Sequence, residues 1–292
     1  MTGHNLHDAP LIAPPIPHGL HPGVPFEEYL HWPILSQSVL KEGRASMAHL
    51  RSAMDRERVK EVTDDMLLGQ ALHTCFLEPE LMATHVVRWE GGTRRGKAWD
   101  EFCAENTGRT ILTEGRYENL IGMVRALRRH PFVREWASKI EHVECSVVGT
   151  VHGVTMKGRC DALTPEPLVD LKKVRSADPA TFTKTVLGFG YDLQAFIYRT
   201  LFNRERFVLL AVEGLPPYDV VAYELSPAFL RRAESVVIPL LDRYKFHLER
   251  GDWPGRADDV IQLEPPEWLM DGEESEVKIG GAAAFEDEDS IF

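Results

Sequence analysis

The sequence predicts a mixed α/β fold: a three-strand antiparallel unit, flanked by helices, with further strands downstream. Three observations carry this. Residues 154–162 alternate, with Val154, Met156, Gly158 and Cys160 on one face and Thr155, Lys157, Arg159 and Asp161 on the other. Residues 168–172 are apolar except for Asp170 and Lys172, two residues apart. Around these strands lie helical runs with recognisable caps and stops.

Taken in order, residues 1–25 carry many prolines and histidines and read as a disordered leader. The folded domain is expected over 26–270 and an acidic disordered tail over 271–292. Ser36 or Ser38 is placed to cap a helix that continues through Val39 and Leu40 towards Leu50. Residues 51–60 form a charged, solvated end or loop. Residues 65–78 read as a helix that opens near acids and ends before Pro79. Gly69 and His73 lie four apart on one face of it. A glycine lowers helix stability, so close backbone approach is the expected reason for it. Residues 88–97, with Gly91, Gly92, Arg94, Arg95 and Lys97, read as a flexible basic loop. It serves either solubility or phosphate contact. Thr113 caps a helix that ends near His130, before Pro131, with arginines in its last turns.

Strands follow. In residues 143–150, Val143, Cys145 and Val147 share a face, leaving Glu144 and Ser146 opposite. His152 and Gly153 turn tightly into the Asp161 strand, and residues 164–167 turn into the Asp170 strand. Asp178 and Pro179 start a helix that Gly188 and Gly190 break. The next helix carries Tyr191, Gln194 and Tyr198, the last two on one face. Residues 207–212 and 220–225 read as two strands linked by Pro216 and Pro217. Ser226 caps a final helix with Pro227 at its first position, and Gly251 stops it.

A hairpin between the two central strands brings Asp161 beside Asp170. Two carboxylates held together repel unless a cation sits between them. Carboxylate oxygens suit Mg²⁺ or Mn²⁺, and such a metal activates water and polarises a phosphodiester. Lys172, on the same strand face as Asp170, is placed to orient that water and stabilise developing charge. Removing either carboxylate is expected to relieve repulsion and leave folding nearly intact.

The ordered set Gly69-x-x-x-His73, Gly158-Arg159-x-Asp161, Asp170-Leu171-Lys172 and Tyr191-x-x-Gln194-x-x-x-Tyr198 resembles the RecB-type branch of the PD-(D/E)xK nuclease superfamily. Within it, the chain is similar to the exonuclease VIII (RecE-type) nuclease domains from about Tyr29 to Trp268. The resemblance implies a restriction-endonuclease-like core: helix, three antiparallel strands, helix, strand. It implies metal ligation by His73, Asp161, Asp170 and the Leu171 carbonyl, with Lys172 orienting the nucleophilic water. Glu144 matches an acidic position that either binds metal through water or holds Lys172. Gln194 and Tyr198 match a motif whose amide and phenol are suited to a phosphate or an end base, leaving the metal ligands alone. Lys173 departs from the pattern, which usually has a small hydroxyl residue there, and is expected to add charge beside the site. The implied activity is 5′→3′ exonucleolytic degradation of linear double-stranded DNA. Ring-shaped homo-oligomers, DNA ends as substrate and a RecT-type single-strand annealing partner go with it.

Charge and cysteines bound the alternatives. The net charge of −12 argues against a simple nonspecific DNA binder. Residues 271–292 hold eight acids and one lysine, so −7 of the total belongs to the tail and −5 to the rest. An enzyme that encloses its DNA needs a basic channel and not a basic exterior. The four cysteines, Cys75, Cys103, Cys145 and Cys160, form no C-x-x-C pair. None follows Cys160, so the iron–sulfur cluster of some RecB-type nucleases is not expected. No signal peptide or membrane-spanning apolar run is apparent, and a cytoplasmic protein is expected. A Cas4-like single-strand nuclease and a catalytically silent DNA-end-binding module remain as other readings.

Overall fold

The computed structural model describes residues 16–57 and 62–265. In chain order, β1 (Gly19–His21), α1 (Phe26–His31), β2 (Leu35–Ser36), α2 (Gln37–Leu40) and α3 (Met47–Met54) come first. Then follow α4 (Asp64–Leu77), α5 (Met82–His85), β3 (Val86–Trp89), α6 (Lys97–Glu105), β4 (Thr110–Thr113), α7 (Glu114–Arg129) and α8 (Pro131–Ala137). The central strands are β5 (His142–Val151), β6 (Val154–Leu163) and β7 (Leu168–Val174). The described helices and strands end with α9 (Pro179–Phe189), α10 (Tyr191–Phe202), β8 (Phe207–Glu213), β9 (Val220–Glu224) and α11 (Pro227–Arg250).

The main sheet runs β1-β5-β6-β7-β8-β9, with β2 pairing β6. β5, β6 and β7 are antiparallel, whereas β7 and β8 are parallel from Leu168↔Phe207 to Val174↔Glu213. A parallel pair needs a crossover, and α9 with α10 supplies it. The observed order is therefore helix, three antiparallel strands, helices, strand, as the restriction-endonuclease-like expectation has it.

Helices cover both sheet faces. On one side α7 presents Leu120, Met123, Val124 and Leu127, an i, i+3, i+4, i+7 stripe, and α4 presents Leu68, Ala71, Leu72 and Cys75. They bury Val169 and Leu171 of β7 and Val208, Leu210 and Val212 of β8. On the other side α10 (Leu193, Ala195, Ile197) and α11 (Ala233, Val237, Leu240, Leu241) cover Met156, Cys160, Leu168 and Leu209. Ser226 Oγ accepts the Phe229 N–H at the start of α11, and Gly251, at φ 69°, ends it.

Four expectations need correction. Residues 16–25 are not a disordered leader: Gly19–His21 pair with β5. The helix expected from Ser36 to Leu50 is two helices. Ser36 caps α2, a 3-10 turn follows, and Ser46 accepts the His49 N–H to begin α3. Arg88 and Trp89, expected in a flexible loop, lie in β3, which pairs in parallel with β4 as a separate two-stranded sheet. The break between α9 and α10 falls at Gly190 (φ 71°), and Gly188 stays helical.

The chain divides after Gly255 into two units. Residues 256–265, the described part of the second, form no helix or strand and are exposed. The acidic tail expected over 271–292 lies outside the described residues, as do residues 1–15. No described helix is long and apolar enough to cross a membrane.

Candidate active site

The site sits where β6 and β7 stop pairing. Their ladder holds the residue pair Ala162↔Val169. Next to it, Asp161 Oδ2 accepts the Leu171 N–H at 2.6 Å, so a carboxylate stands where a ladder carbonyl would. A strand residue's N–H and C=O leave by the same edge, so the Leu171 carbonyl faces the same gap. Asp170 and Lys172 point to the opposite face of β7 from Leu171. Asp170 is 4% exposed. Its Oδ1 accepts from Gln194 Nε2 at 2.6 Å, and its Oδ2 lies 2.6 Å from Lys172 Nζ. The Lys172 ammonium rests 4.3 Å from the ring centroid of Tyr191 at the start of α10.

The other wall is α4. Thr63 Oγ1 accepts the Met66 N–H at its start, and Asp64 and Asp65 occupy the first turn, where the helix dipole favours acids. The helix buries Leu68, Leu72 and Cys75 and leaves His73 on its flank, with Nδ1 3.4 Å from Asp161 Oδ1. From β5, Glu144 has φ 52°, a left-handed conformation that a non-glycine strand residue rarely adopts. Arg159 fixes its side chain, with Nε donating to Oε2 at 2.6 Å while Nη1 donates to Ser146 Oγ and the Val24 carbonyl. One ligand atom each from His73, Glu144 and Asp161 falls within 4.8 Å of the others.

The electrostatics fit a divalent cation. Burial, reinforced by the Asp161 charge, pushes the Glu144 carboxyl up, against the pull of Arg159. Burial also pushes Asp170 up despite Lys172. Burial would push Asp161 up too, but the neighbouring His73 and Lys172 cations hold it below the usual carboxylate range. His73 is raised to about 9: burial opposes protonation, but Asp161, Asp170 and Glu144 outweigh it. Buried Asp170 Oδ2 accepts no aligned hydrogen bond. Three carboxylates and an imidazole around one gap are a donor set for a hard or borderline metal.

The arrangement differs from expectation in detail. Asp161 and His73 meet, and Glu144 joins them. Glu144 is held by Arg159 and not by Lys172, whose carboxylate partner is Asp170. Gln194, expected to leave the candidate metal ligands alone, donates to one of them, Asp170. Tyr198 is buried, and its hydroxyl accepts the Arg159 N–H at 3.3 Å, so it faces β6 and not solvent. Lys173 points away from Lys172 and pairs with Asp65 on α4 at 2.5 Å. Among the described residues, a Cβ on Gly69 would meet no atom within 4 Å, so none of them makes the expected close backbone approach. The role of Arg159 is the main feature sequence reasoning undervalued. Its place on the Asp161 face of β6 is the signal for it.

A family model described as a PDDEXK-like domain of unknown function (DUF3799) matches residues 36–263, which include every residue of this site. The chain belongs to this family. Among solved structures, it is similar to a Eubacterium rectale protein described as a "putative exonuclease". That likeness has 14% identity and a TM-score of 0.56, covering 86% of this chain and 99% of that one. At such identity it shows a shared fold. An alkaline exonuclease from Laribacter hongkongensis aligns over 62% of this chain and 89% of its own, at 14% identity and a TM-score of 0.27, too low to argue from. None of the curated proteins matches the chain.

Proposed function

We propose that this chain is a divalent-metal-dependent exodeoxyribonuclease that degrades linear double-stranded DNA from its 5′ ends and leaves 3′ single strands. The observation that carries the reading is the convergence of His73, Glu144 and Asp161 within 4.8 Å beside the buried Asp170–Lys172 pair. PD-(D/E)xK nucleases use divalent metals, and family membership supports the assignment. Asp161, His73, Asp170 and the Leu171 carbonyl would hold Mg²⁺ or Mn²⁺, with Glu144 binding directly or through water. Bound there, the metal supplies an activated water and polarises the phosphodiester.

The chain's own groups do the rest. Lys172 stays an ammonium, because Asp170, Tyr191 and Asp161 overcome the effect of burial. It therefore donates hydrogen bonds to a water or a developing phosphorane oxygen and does not take up a proton. Gln194 fixes the Asp170 carboxylate, and Arg159 fixes Glu144. Tyr198 ties α10 to β6.

The 5′→3′ polarity, a ring-shaped homo-oligomer, a RecT-type annealing partner and a cytoplasmic setting rest on the resemblance to exonuclease VIII-type domains. Linear duplex labelled at either the 5′ or the 3′ end, incubated with Mg²⁺ beside a closed circle, tests the reading. Early release of the 5′ label with the circle intact is expected. A cut circle, or the 3′ label released first, contradicts it.

A further inference from the structure

We propose that Gly69 is kept small for the substrate: the sugar–phosphate backbone of the strand being cut runs along α4 from His73 across Gly69. This rests on the nuclease reading above. Four glycines lie in described α-helices, namely Gly69, Gly115, Gly122 and Gly188. Gly115 and Gly188 sit one residue from a helix end, where fewer backbone bonds depend on them. Gly122 is required by the protein itself, because a Cβ there would lie 2.3 Å from the Tyr218 ring. Gly69 has neither excuse. It is the sixth of the fourteen residues of α4, and a Cβ on it would meet no atom of the described residues within 4 Å. An interior helical glycine destabilises relative to alanine, so on folding grounds alone alanine is the better residue here.

No described residue fills that space, and the substrate is the occupant proposed for it. Gly69 is one turn from His73 on the same flank, about 6 Å along the axis. Two nucleotide rises of about 3.4 Å span a similar length. One turn further, the flank reaches the start of α4. There Lys173 holds Asp65 at 2.5 Å, and Asp64 holds Arg94 Nη1 at 2.7 Å with Arg116 at 3.5 Å. Among the described residues paired there, three cations stand against two acids, a balance that favours a polyanion at that end. A strand with its scissile phosphodiester at the His73–Asp161 gap therefore passes Gly69 with a sugar or phosphate within two nucleotides of that bond, and a methyl group would stand in the way.

The test compares wild type with Gly69→Ala and Gly69→Leu, both better helix formers than glycine. Three quantities are measured: the melting temperature, Mn²⁺ affinity by titration without DNA, and the cleavage rate on linear duplex at saturating metal. The proposal expects both variants to melt about 2–3 °C higher and to bind Mn²⁺ as wild type does. It expects Gly69→Ala to cleave more than tenfold slower, with Gly69→Leu slower still. Wild-type cleavage rates in the variants overturn it while leaving the nuclease reading standing. Weaker Mn²⁺ binding overturns it too, since Gly69 would then act through His73. So does a lower melting temperature, which would mean that the protein occupies the space. A wild type that cuts no DNA with either Mg²⁺ or Mn²⁺ overturns the nuclease reading itself, and this proposal with it.

Discussion

Asp170 joins two elements at the site: Gln194 holds one oxygen and Lys172 the other, and the Asp161 charge acts on it from β6. Its replacement by alanine leaves the Lys172 ammonium buried without its partner. That loss outweighs the relief of carboxylate repulsion anticipated from sequence. Asp170→Ala is thus expected to lower stability by about 3 kcal/mol, and Asp170→Asn by clearly less, as read from urea denaturation. Equal stability of Asp170→Ala and wild type would contradict the pairing. His73 gives a second expectation. In the metal-free site it holds a proton up to about pH 9, and a metal must displace that proton. Apparent Mn²⁺ affinity should therefore climb as pH rises towards 9 and then level off, with the climb blunted in His73→Gln. An affinity flat over that range would make His73 a packing residue. Asp161, Asp170 and Lys172 were legible because strand alternation places charges on defined faces. The target of Gln194 was not, since i, i+4 spacing names a face and no partner. The left-handed turn at Glu144 leaves no mark in the sequence, because no glycine or asparagine advertises it.

At the level of elements, Lys157 of β6 anchors the amino-terminal segment. Its Nζ donates to the carbonyls of Tyr29, Leu30 and Trp32 at 2.7, 3.2 and 2.9 Å and lies 4.6 Å from the Tyr29 ring centroid. These carbonyls lie at and just beyond the end of α1, where Tyr29 O also accepts the Trp32 N–H and Trp32 O the Ile34 N–H. Burial, aided by the Arg56 charge, lowers the amine to about 8, against the three carbonyls and the ring, which favour its charged form. Lys157→Met should cost about 1–3 kcal/mol. It should speed hydrogen exchange across β1 and α1 and leave β7 and β8 protected. Unchanged exchange in β1 and α1 would show that the segment is held elsewhere. The long strands and α7 and α11 could be read from periodicity and caps. The two- to four-residue strands β1 to β4 could not, because such short pieces carry no period and owe their form to a partner strand.

At the level of the whole molecule, helices on both faces meet at one break in the sheet. The face that holds α4 contributes His73, the other contributes Gln194 and Tyr191, and the three antiparallel strands supply the acids between them. This architecture was legible because each layer has its own apolar stripe and the motifs come in a fixed order along the chain. The net charge of −12 does not conflict with a DNA substrate, since −7 of it lies in residues 271–292. The central claim is that this break is a metal-dependent phosphodiesterase site. Its most direct test is hydrolysis of end-labelled linear duplex by wild type and Asp170→Asn, each with Mg²⁺, with Mn²⁺ and with chelator. Wild type is expected to cleave only when metal is present, and the variant about a thousandfold less. Cleavage that survives the chelator, or that proceeds at the wild-type rate in Asp170→Asn, would contradict it.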